Sequence, residues 1–451
     1  MQPTTSPASA ALPTFDDVFQ IDNLGRSFER LLIRHYDVIS DEPQIVPGAD
    51  RIQLRHFKAD LDKHLRAIAR KATQGRYTYA PFLGVDVPKP GSKEKRPISI
   101  ATIRDTLVQR ALYDYLYPRI DPLLTDSVFG YRVGRSAHAA IAAIRQHIRG
   151  GLTSVVDIDL TKFFDTVNHD LLLSKLDALA IDDRARKLVF RFLRTGRVDA
   201  AVTDAQRKSA PRQEKFRAAI RTVGVPQGGV LSGMLSNLFL AEFDRLVGSQ
   251  NPGYVRYADD FVICCANPTD CTAAHALVDN QMRALGMTLN ASKTRVCVPI
   301  TQGIDFLGFR IDADSIRVRG RNIHKFKNRV RTVIANQHKH RTAGATLKSL
   351  CRRLNYKIEG PNRQQRERLK RVAGVTHPHR RSWIGFFRIV TDVEQVRALD
   401  RWIRKEVSAF MWNTHRCRVR YRAMREAGLC SLRRCLFRAR VPSAAPGAPS
   451  D

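Results

Sequence analysis

The spacing of apolar residues changes period several times along the chain, and each change marks an element. Over 14–75, runs such as FDDVFQIDNLGRSFERLLIRHY and HFKADLDKHLRAIARKA place apolar residues three and four apart, which predicts amphipathic helices. FLGVDVPKPGSKEKRPISI reads as two strand-like runs joined by a Pro/Gly/Lys turn. Helical spacing returns from about Thr102 to Tyr117 and from Ser136 to Arg149. SVVDIDLTKFFD reads as a buried strand leading into a turn, and Leu171 to about Thr195 as helical. After a polar, basic connector, Leu231 to Leu246 predicts a long helix. YVRYADDFVICC predicts a hairpin with apolar arms and a charged tip, HALVDNQMRALGM a helix, and LNASKTRVCVPI and GIDFLGFRI strands. From about Lys325 onward the pattern is helical and basic, and VPSAAPGAPSD has the composition of a disordered tail.

Helices and strands therefore interleave, yet no G-x-G-x-x-G follows a strand, so a Rossmann-type nucleotide site is unsupported. The expected class is α+β, with a sheet covered by helices on one face. At 451 residues the chain exceeds one average domain and predicts two or three packed units. A hydrophobic fraction of 43% is enough for real cores and excludes a disordered protein. No internal repeat is visible.

Charge adds a partner to this picture. The formal net charge is +33, and residues 311–451 alone hold 34 Lys or Arg against 10 Asp or Glu. A short basic run is usually a solvated helix face. Basic character sustained over that length, with aromatics interleaved, points to nucleic acid bound through its phosphates. No run of 18 apolar residues occurs, so no membrane span is expected. The first residues, MQPTTSPASAALPTF, lack the charged and apolar regions of a signal peptide and predict a flexible leader. The eight cysteines form no CxxC pair, which argues against a zinc finger or ribbon. Scattered thiols suit a reducing cytoplasm, the expected location.

The candidate chemistry lies in two groups of acids. In Val155-Val156-Asp157-Ile158-Asp159-Leu160, alternation points Asp157 and Asp159 to one face. In Tyr257-Ala258-Asp259-Asp260-Phe261, two acids interrupt an apolar hairpin. Charges inside apolar runs are costly unless paired or metal-bound. A divalent cation answers both that cost and the mutual repulsion, and hard oxygen ligands favour Mg²⁺. Alone, an Asp-Asp pair in a hairpin reads better as a turn.

Further segments change that balance. Tyr257-Ala258-Asp259-Asp260 resembles the YADD box of reverse transcriptases of the group II intron-like lineage, and neighbouring blocks occur in that family's order from about residue 80 to 435. Val87-Pro88-Lys89-Pro90-Gly91 through Arg96-Pro97 is similar to the fingers hairpin. The resemblance implies that Lys89 and Arg96 grip the incoming triphosphate. Phe129-Gly130-Tyr131-Arg132 and Gly134-Arg135-Ser136 resemble blocks lining the template path, with Arg132 and Arg135 as phosphate contacts. Asp159-Leu160-Thr161-Lys162-Phe163-Phe164-Asp165 resembles the first catalytic block. There Asp159 matches a metal ligand and Phe164 the aromatic that excludes a 2′-hydroxyl. Asp157 matches no assigned ligand.

Gly224-Val225-Pro226-Gln227-Gly228-Gly229 is similar to the nucleotide and template block, implying roles for Gln227 and Gly228. The lineage usually has Pro after the following serine. Here Ser232-Gly233 stands instead, and Gly233 is expected to loosen the start of the next helix. Leu289-Asn290-Ala291-Ser292-Lys293-Thr294 resembles the block whose lysine lies near the leaving pyrophosphate. Phe306-Leu307-Gly308-Phe309 is similar to the primer-grip hairpin. The segments around Trp383 and Arg404 resemble a thumb holding the template–primer duplex.

The resemblance implies a right hand: 1–50 flexible leader and N-terminal helix, 51–150 fingers, 151–310 palm, 311–440 basic helical thumb, and 441–451 a disordered tail. Parts of 190–222 are assignable to the fingers. It further implies an RNA-directed DNA polymerase that uses two Mg²⁺ ions, with Mn²⁺ as a substitute, at Asp159, Asp259 and Asp260. Its partners are an RNA template, dNTPs and the cDNA product; the oligomeric state is open. Two settings fit: a free-standing antiphage-defence enzyme using a cognate structured noncoding RNA, or an intron-encoded enzyme. The upstream glycine-rich block is reduced to Pro47-Gly48-Ala49-Asp50-Arg51, and no HNH-like segment is seen, which favours the first. A catalytically idle RNA-binding scaffold is the competing class, and the retention of all three acids argues against it.

Overall fold

The computed structural model describes residues 11–37, 40, 42–88, 94–199, 218–361, 364, 365, 367, 371 and 382–440. In chain order, helices α1 (Ile21–Arg34) and α2 (Leu61–Thr73) precede an antiparallel pair, β1 (Phe82–Pro88) and β2 (Lys95–Ile100). Thr102 caps α3 (Ile103–Ile120), and Ser136 caps α4 (Ala137–Arg149). Strand β3 (Ser154–Asp159) leads through short helices to α5 (Asp183–Arg194) and β4 (Arg197–Asp199). After α6 (Ser232–Gln250) come β5 (Tyr254–Tyr257), β6 (Asp260–Cys265), α7 (Pro268–Ala284) and β7 (Arg295–Pro299). The meander β8 (Ile304–Phe306), β9 (Phe309–Ile311) and β10 (Ile316–Val318) then opens a helical region. Its main helices are α8 (Gly320–Ala335), α9 (Ala343–Glu359), α10 (Val393–His415), α11 (Tyr421–Glu426) and α12 (Leu432–Arg440).

The central sheet has the order β5-β6-β3-β7, every neighbouring pair antiparallel. Strand alternation sends its two faces into different cores. Val156, Ile158, Phe261 and Ile263 pack into the core built by the N-terminal helices, α3, α5 and α6. Val155, Val262 and Cys264 face the second core, shared with α4, the β8–β10 meander and the last helices. Asp157, Asp159 and Asp260 have the parity of that second face, so they leave the sheet where its apolar cover ends. This sheet lies in the segment expected to form the palm. The separate sheet β2-β1-β4 belongs to the segments expected to form the fingers, and the basic helices after β10 to the segment expected to form the thumb.

Helix α6 is buried nearly all round, from Ser232 through Asp244, so it lies between layers. Asp105 on α3 is also buried. It accepts from the Tyr77 hydroxyl at 2.7 Å and the Thr102 hydroxyl at 2.8 Å, which makes it a structural acid.

Two readings are refined here. The helical stretch expected from Leu171 to Thr195 is divided into two helices, His169–Asp177 and α5. Ala180 adopts φ +47°, and the Asp182 carboxylate accepts from the Arg184 amide at 2.7 Å, starting a new helix. GIDFLGFRI, read from its period as a strand, is a hairpin, as its family resemblance implied. Phe306 pairs with Phe309 across a two-residue turn in which Leu307 and Gly308 both have positive φ.

Candidate active site

Antiparallel register places Asp159 directly opposite Asp260. Tyr257 pairs with Asp260, so Ala258 and Asp259 form the two-residue turn of the β5–β6 hairpin. The three acids predicted to work together thus meet at one end of one sheet. Two carboxylates directly opposite each other destabilise a strand pair, so the register itself is a cost. Burial, then the charges of Asp259, Asp159 and Asp157, push the Asp260 carboxyl up to about 7. Its side chain still reaches water. Burial and the charge of Asp159 also raise Asp259, against the pull of Arg96 and Lys293.

Among the described residues, neither Asp259 nor Asp260 has an ion-pair partner. Asp159 is engaged: Lys293 Nζ lies 3.0 Å and Asn290 Nδ2 3.1 Å from its Oδ2. Asp157 is tied to Arg295 at 2.7 Å, which explains why it matched no ligand. Three hard oxygen donors, two of them short of counter-charge, fit divalent cations. The carboxylates are not drawn into one tight cluster. Among the described residues, the group of three ligand-type atoms within 4.8 Å of one another is Glu359, Cys430 and Cys435. Arg438 already occupies that group, paired with Glu359 and 3.3 Å from Cys435 Sγ.

The Ala258-Asp259 turn rests on a buried network that the sequence reading missed. Ala258 holds φ +59°, and its carbonyl accepts from Arg256 Nη1 at 2.8 Å. Arg256 is fully buried, as is its partner Asp244, 2.7 Å from Nε; Asn237 Oδ1 accepts from Nη1 at 3.1 Å. Tyr254 donates to the same Asp244 at 2.7 Å. Asn237 also donates to the Gly130 carbonyl at 2.9 Å. A Cβ on Gly130 would lie 2.4 Å from the Ala258 amide nitrogen, so only glycine lets this loop back the turn. A signal was present: Arg256 alternates with apolar neighbours on a buried strand, and Asp244 sits on the apolar helix before it.

Around the acids, Phe164 packs edge-on against Tyr131, ring centroids 6.4 Å apart. The expected loosening at Gly233 is corrected. A Cβ there would fall 2.3 Å from the Tyr131 ring, so Gly233 seats that ring against α6. Gln227 donates to Asp165 at 3.3 Å, its carbonyl accepts from the Ser99 amide at 2.7 Å, and Gly228 (φ +106°) lies against the same strand. Arg96 is exposed on β2, near enough for its charge to act on Asp259. Lys89 lies outside the described residues.

Arg132 is corrected as well. Its guanidinium is nearly buried, bonded to Asp121 at 2.8 Å and to the Thr125 carbonyl at 2.7 Å, so it braces a loop and is not free for a phosphate. Arg135 pairs with exposed Asp126 and lies over Phe129. In the thumb region, Trp383 stacks on Phe326 at 4.1 Å and walls a groove of about 540 Å³ with Lys325, Arg329 and Phe386. Arg404 covers Tyr421 at 4.4 Å. The Leu307-Gly308 tip is held by Asn322, which donates to the Gly308 carbonyl at 3.3 Å.

Residues 87–311 match the family described as reverse transcriptase (RNA-dependent DNA polymerase). The chain is 28% identical over 325 residues to Protein YkfC of Escherichia coli, covering 63% of this chain and 79% of that one. It is 24% identical to the Putative COX1/OXI3 intron 1 protein of Saccharomyces cerevisiae, covering 67% of this chain and 42% of the relative. It is 28% identical to the Group II intron-encoded protein LtrA of Lactococcus lactis over 41% of this chain and 28% of LtrA. The chain therefore spans less than half of the two intron proteins. No helix among the described residues is long and apolar enough to cross a membrane.

Two outcomes are expected. A carboxyl raised to about 7 takes up a proton in the metal-free fold that the unfolded chain, near 3.8, would not. That proton's stabilisation is complete below about pH 4 and lost as pH rises through about 7. Asp260→Asn should therefore raise the metal-free Tm at pH 8 by a few degrees and change it little at pH 4. Calorimetric Mn²⁺ affinity should be roughly tenfold weaker at pH 6 than at pH 8, because binding must displace that proton; equal affinities would refute this. Separately, Arg256→Met should cost about 3–5 kcal/mol by stranding a buried Asp244. Adding Asp244→Leu should recover much of the Tm but not polymerisation, because the Ala258 carbonyl still lacks its donor. Recovery of both would reduce Arg256 to a purely structural role.

Proposed function

Because residues 87–311 form a reverse transcriptase domain of the group II intron-like kind, we propose that this protein is an RNA-directed DNA polymerase. Asp159, Asp259 and Asp260 are its centre. One observation carries the reading: the register that sets Asp159 against Asp260, with Asp259 in the adjoining turn. The 3′-oxygen of a primer bonds to the α-phosphorus of a dNTP while the bond to the bridging oxygen breaks and pyrophosphate leaves. Two divalent ions, Mg²⁺ or Mn²⁺, would lower the pKa of the attacking hydroxyl and neutralise the leaving group. Asp159 and Asp260 would hold them, and Asp259 would support one.

The remaining groups act on substrate. Arg96, with Lys89, steadies the triphosphate from the fingers. Lys293 gives up its contact with Asp159 and turns to the leaving phosphate. Phe164, held upright by Tyr131, closes the space a 2′-hydroxyl would need. Gln227 and Gly228 align the nascent pair between palm and fingers. The Phe306-Leu307-Gly308 hairpin, Arg135 and Trp383 contact template or primer; Arg132 acts only by shaping its loop, and Arg404, expected in the same role, lies over Tyr421 in a separate cavity instead.

The template is RNA. For its source, relatives named as intron-encoded proteins support an intron-encoded enzyme. A defence enzyme copying a cognate noncoding RNA is the other setting. The two separate on the DNA flanking the gene, where a ribozyme fold or a short adjacent transcript decides.

The test is extension of a DNA primer on an RNA template with Mg²⁺ and dNTPs. Asp259→Asn or Asp260→Asn should lower the rate by at least about 10²–10³-fold with the fold retained. Phe164→Ala should raise NTP use relative to dNTP use. Undiminished synthesis in the carboxylate variants would overturn the assignment, and NTP preference in the unaltered protein would make it an RNA polymerase.

A further inference from the structure

Four arginines converge on a cavity of about 230 Å³ between α10, α11 and α12. Arg397, Arg401 and Arg404 come from one side of α10, and Arg433 from the first turn of α12. Asp400 is the acid in the lining, and both its oxygens are taken. One accepts from the Leu432 amide at 2.7 Å; the other accepts from the Ser431 hydroxyl at 2.8 Å and the Arg433 amide at 3.2 Å. It caps α12 and leaves the guanidinium groups unbalanced. Among the described residues, Arg401, Arg404 and Arg433 have no ion-pair partner, and Arg397 pairs with exposed Glu394 on its own helix.

Like charges brought together favour an anion, and the guanidinium fork matches two oxygens of a phosphate. An open ring lines the cavity: Tyr421, 40% exposed, lies under Arg404. Arginine beside an open aromatic face suits an unpaired nucleotide, whose base stacks while its phosphate is held.

The cavity does not open onto the polymerase cleft. On α10, Trp402 and Glu406 meet α8 through Lys327 and Arg331. At about 100° per residue, the arginines leave α10 on the opposite side. Helix α8 lies on the side of the β8–β9 hairpin, since its Asn322 donates to the Gly308 carbonyl at 3.3 Å.

We propose that this pocket binds a phosphate of single-stranded RNA on the side of the thumb turned away from the cleft, with Tyr421 receiving a neighbouring base. The proposal rests on the RNA-directed reading above: the occupant is an unpaired stretch of the RNA that the cleft copies.

The full-length Arg401→Ala/Arg433→Ala protein tests it, with Arg401→Lys/Arg433→Lys beside it. Oligouridine binding by fluorescence anisotropy should weaken on the order of tenfold at about 0.1 M salt, with the log–log salt slope shallower by about 1.4. The lysine variant should keep the slope. Extension of a short primer–template should be unchanged, and ultraviolet crosslinking of oligouridine should reach Tyr421. Unchanged affinity and slope would overturn the pocket, as would loss of short-substrate extension with the fold intact. Displacement of the RNA by inorganic phosphate at matched ionic strength would reassign the pocket to a free anion. An unaltered protein that extends nothing, yet binds oligouridine through these arginines, would sink the polymerase reading and leave the pocket standing.

Discussion

Two aspartates face each other across adjacent antiparallel strands, and most of the palm is arranged around that conflict. In the absence of a bound cation the pair opposes its own register. The chain holds the register with apolar neighbours: Val156, Ile158, Phe261 and Ile263 fix β3 and β6 into one core, while Val155, Val262 and Cys264 fix them into the other. A slip by one residue would move every one of these side chains to the wrong face. The acids are therefore kept opposed by packing a few residues away.

The same economy governs the turn. A non-glycine residue at φ +59° is strained, and Ala258 tolerates it because its carbonyl is clamped by Arg256 and its amide is backed by Gly130. A buried ion pair contributes little net stability when replaced as a unit. Its value here is geometric, since it fixes the backbone immediately before Asp259. Lys293 and Asn290 perform a looser service on Asp159, being groups that can let go.

Much of this was legible in the sequence because it follows from period. Alternation placed Asp157 and Asp159 on one face, and the hairpin with its charged tip was evident from its apolar arms. The helix break near Ala180 was not legible, since it depends on one capping aspartate inside an otherwise helical pattern. Arg132 reads identically whether it holds a phosphate or a carbonyl; only the position of Asp121 decides. Gly233 looked like a weakness because the ring that fills its space lies about a hundred residues away in sequence. The Arg256–Asp244 pair was missed because it spans two elements: each charge stands in an apolar run, but only the fold shows that the two meet.

The claim that everything else serves is that the three acids together hold divalent cations. Anomalous diffraction from crystals of the full chain soaked in Mn²⁺ addresses it without reference to activity. Peaks between the Asp159 and Asp260 carboxylates, with Asp259 in reach and Lys293 moved off Asp159, are the expected result. Strong Mn²⁺ peaks elsewhere, with the space between Asp159 and Asp260 empty and Lys293 in place, would contradict it.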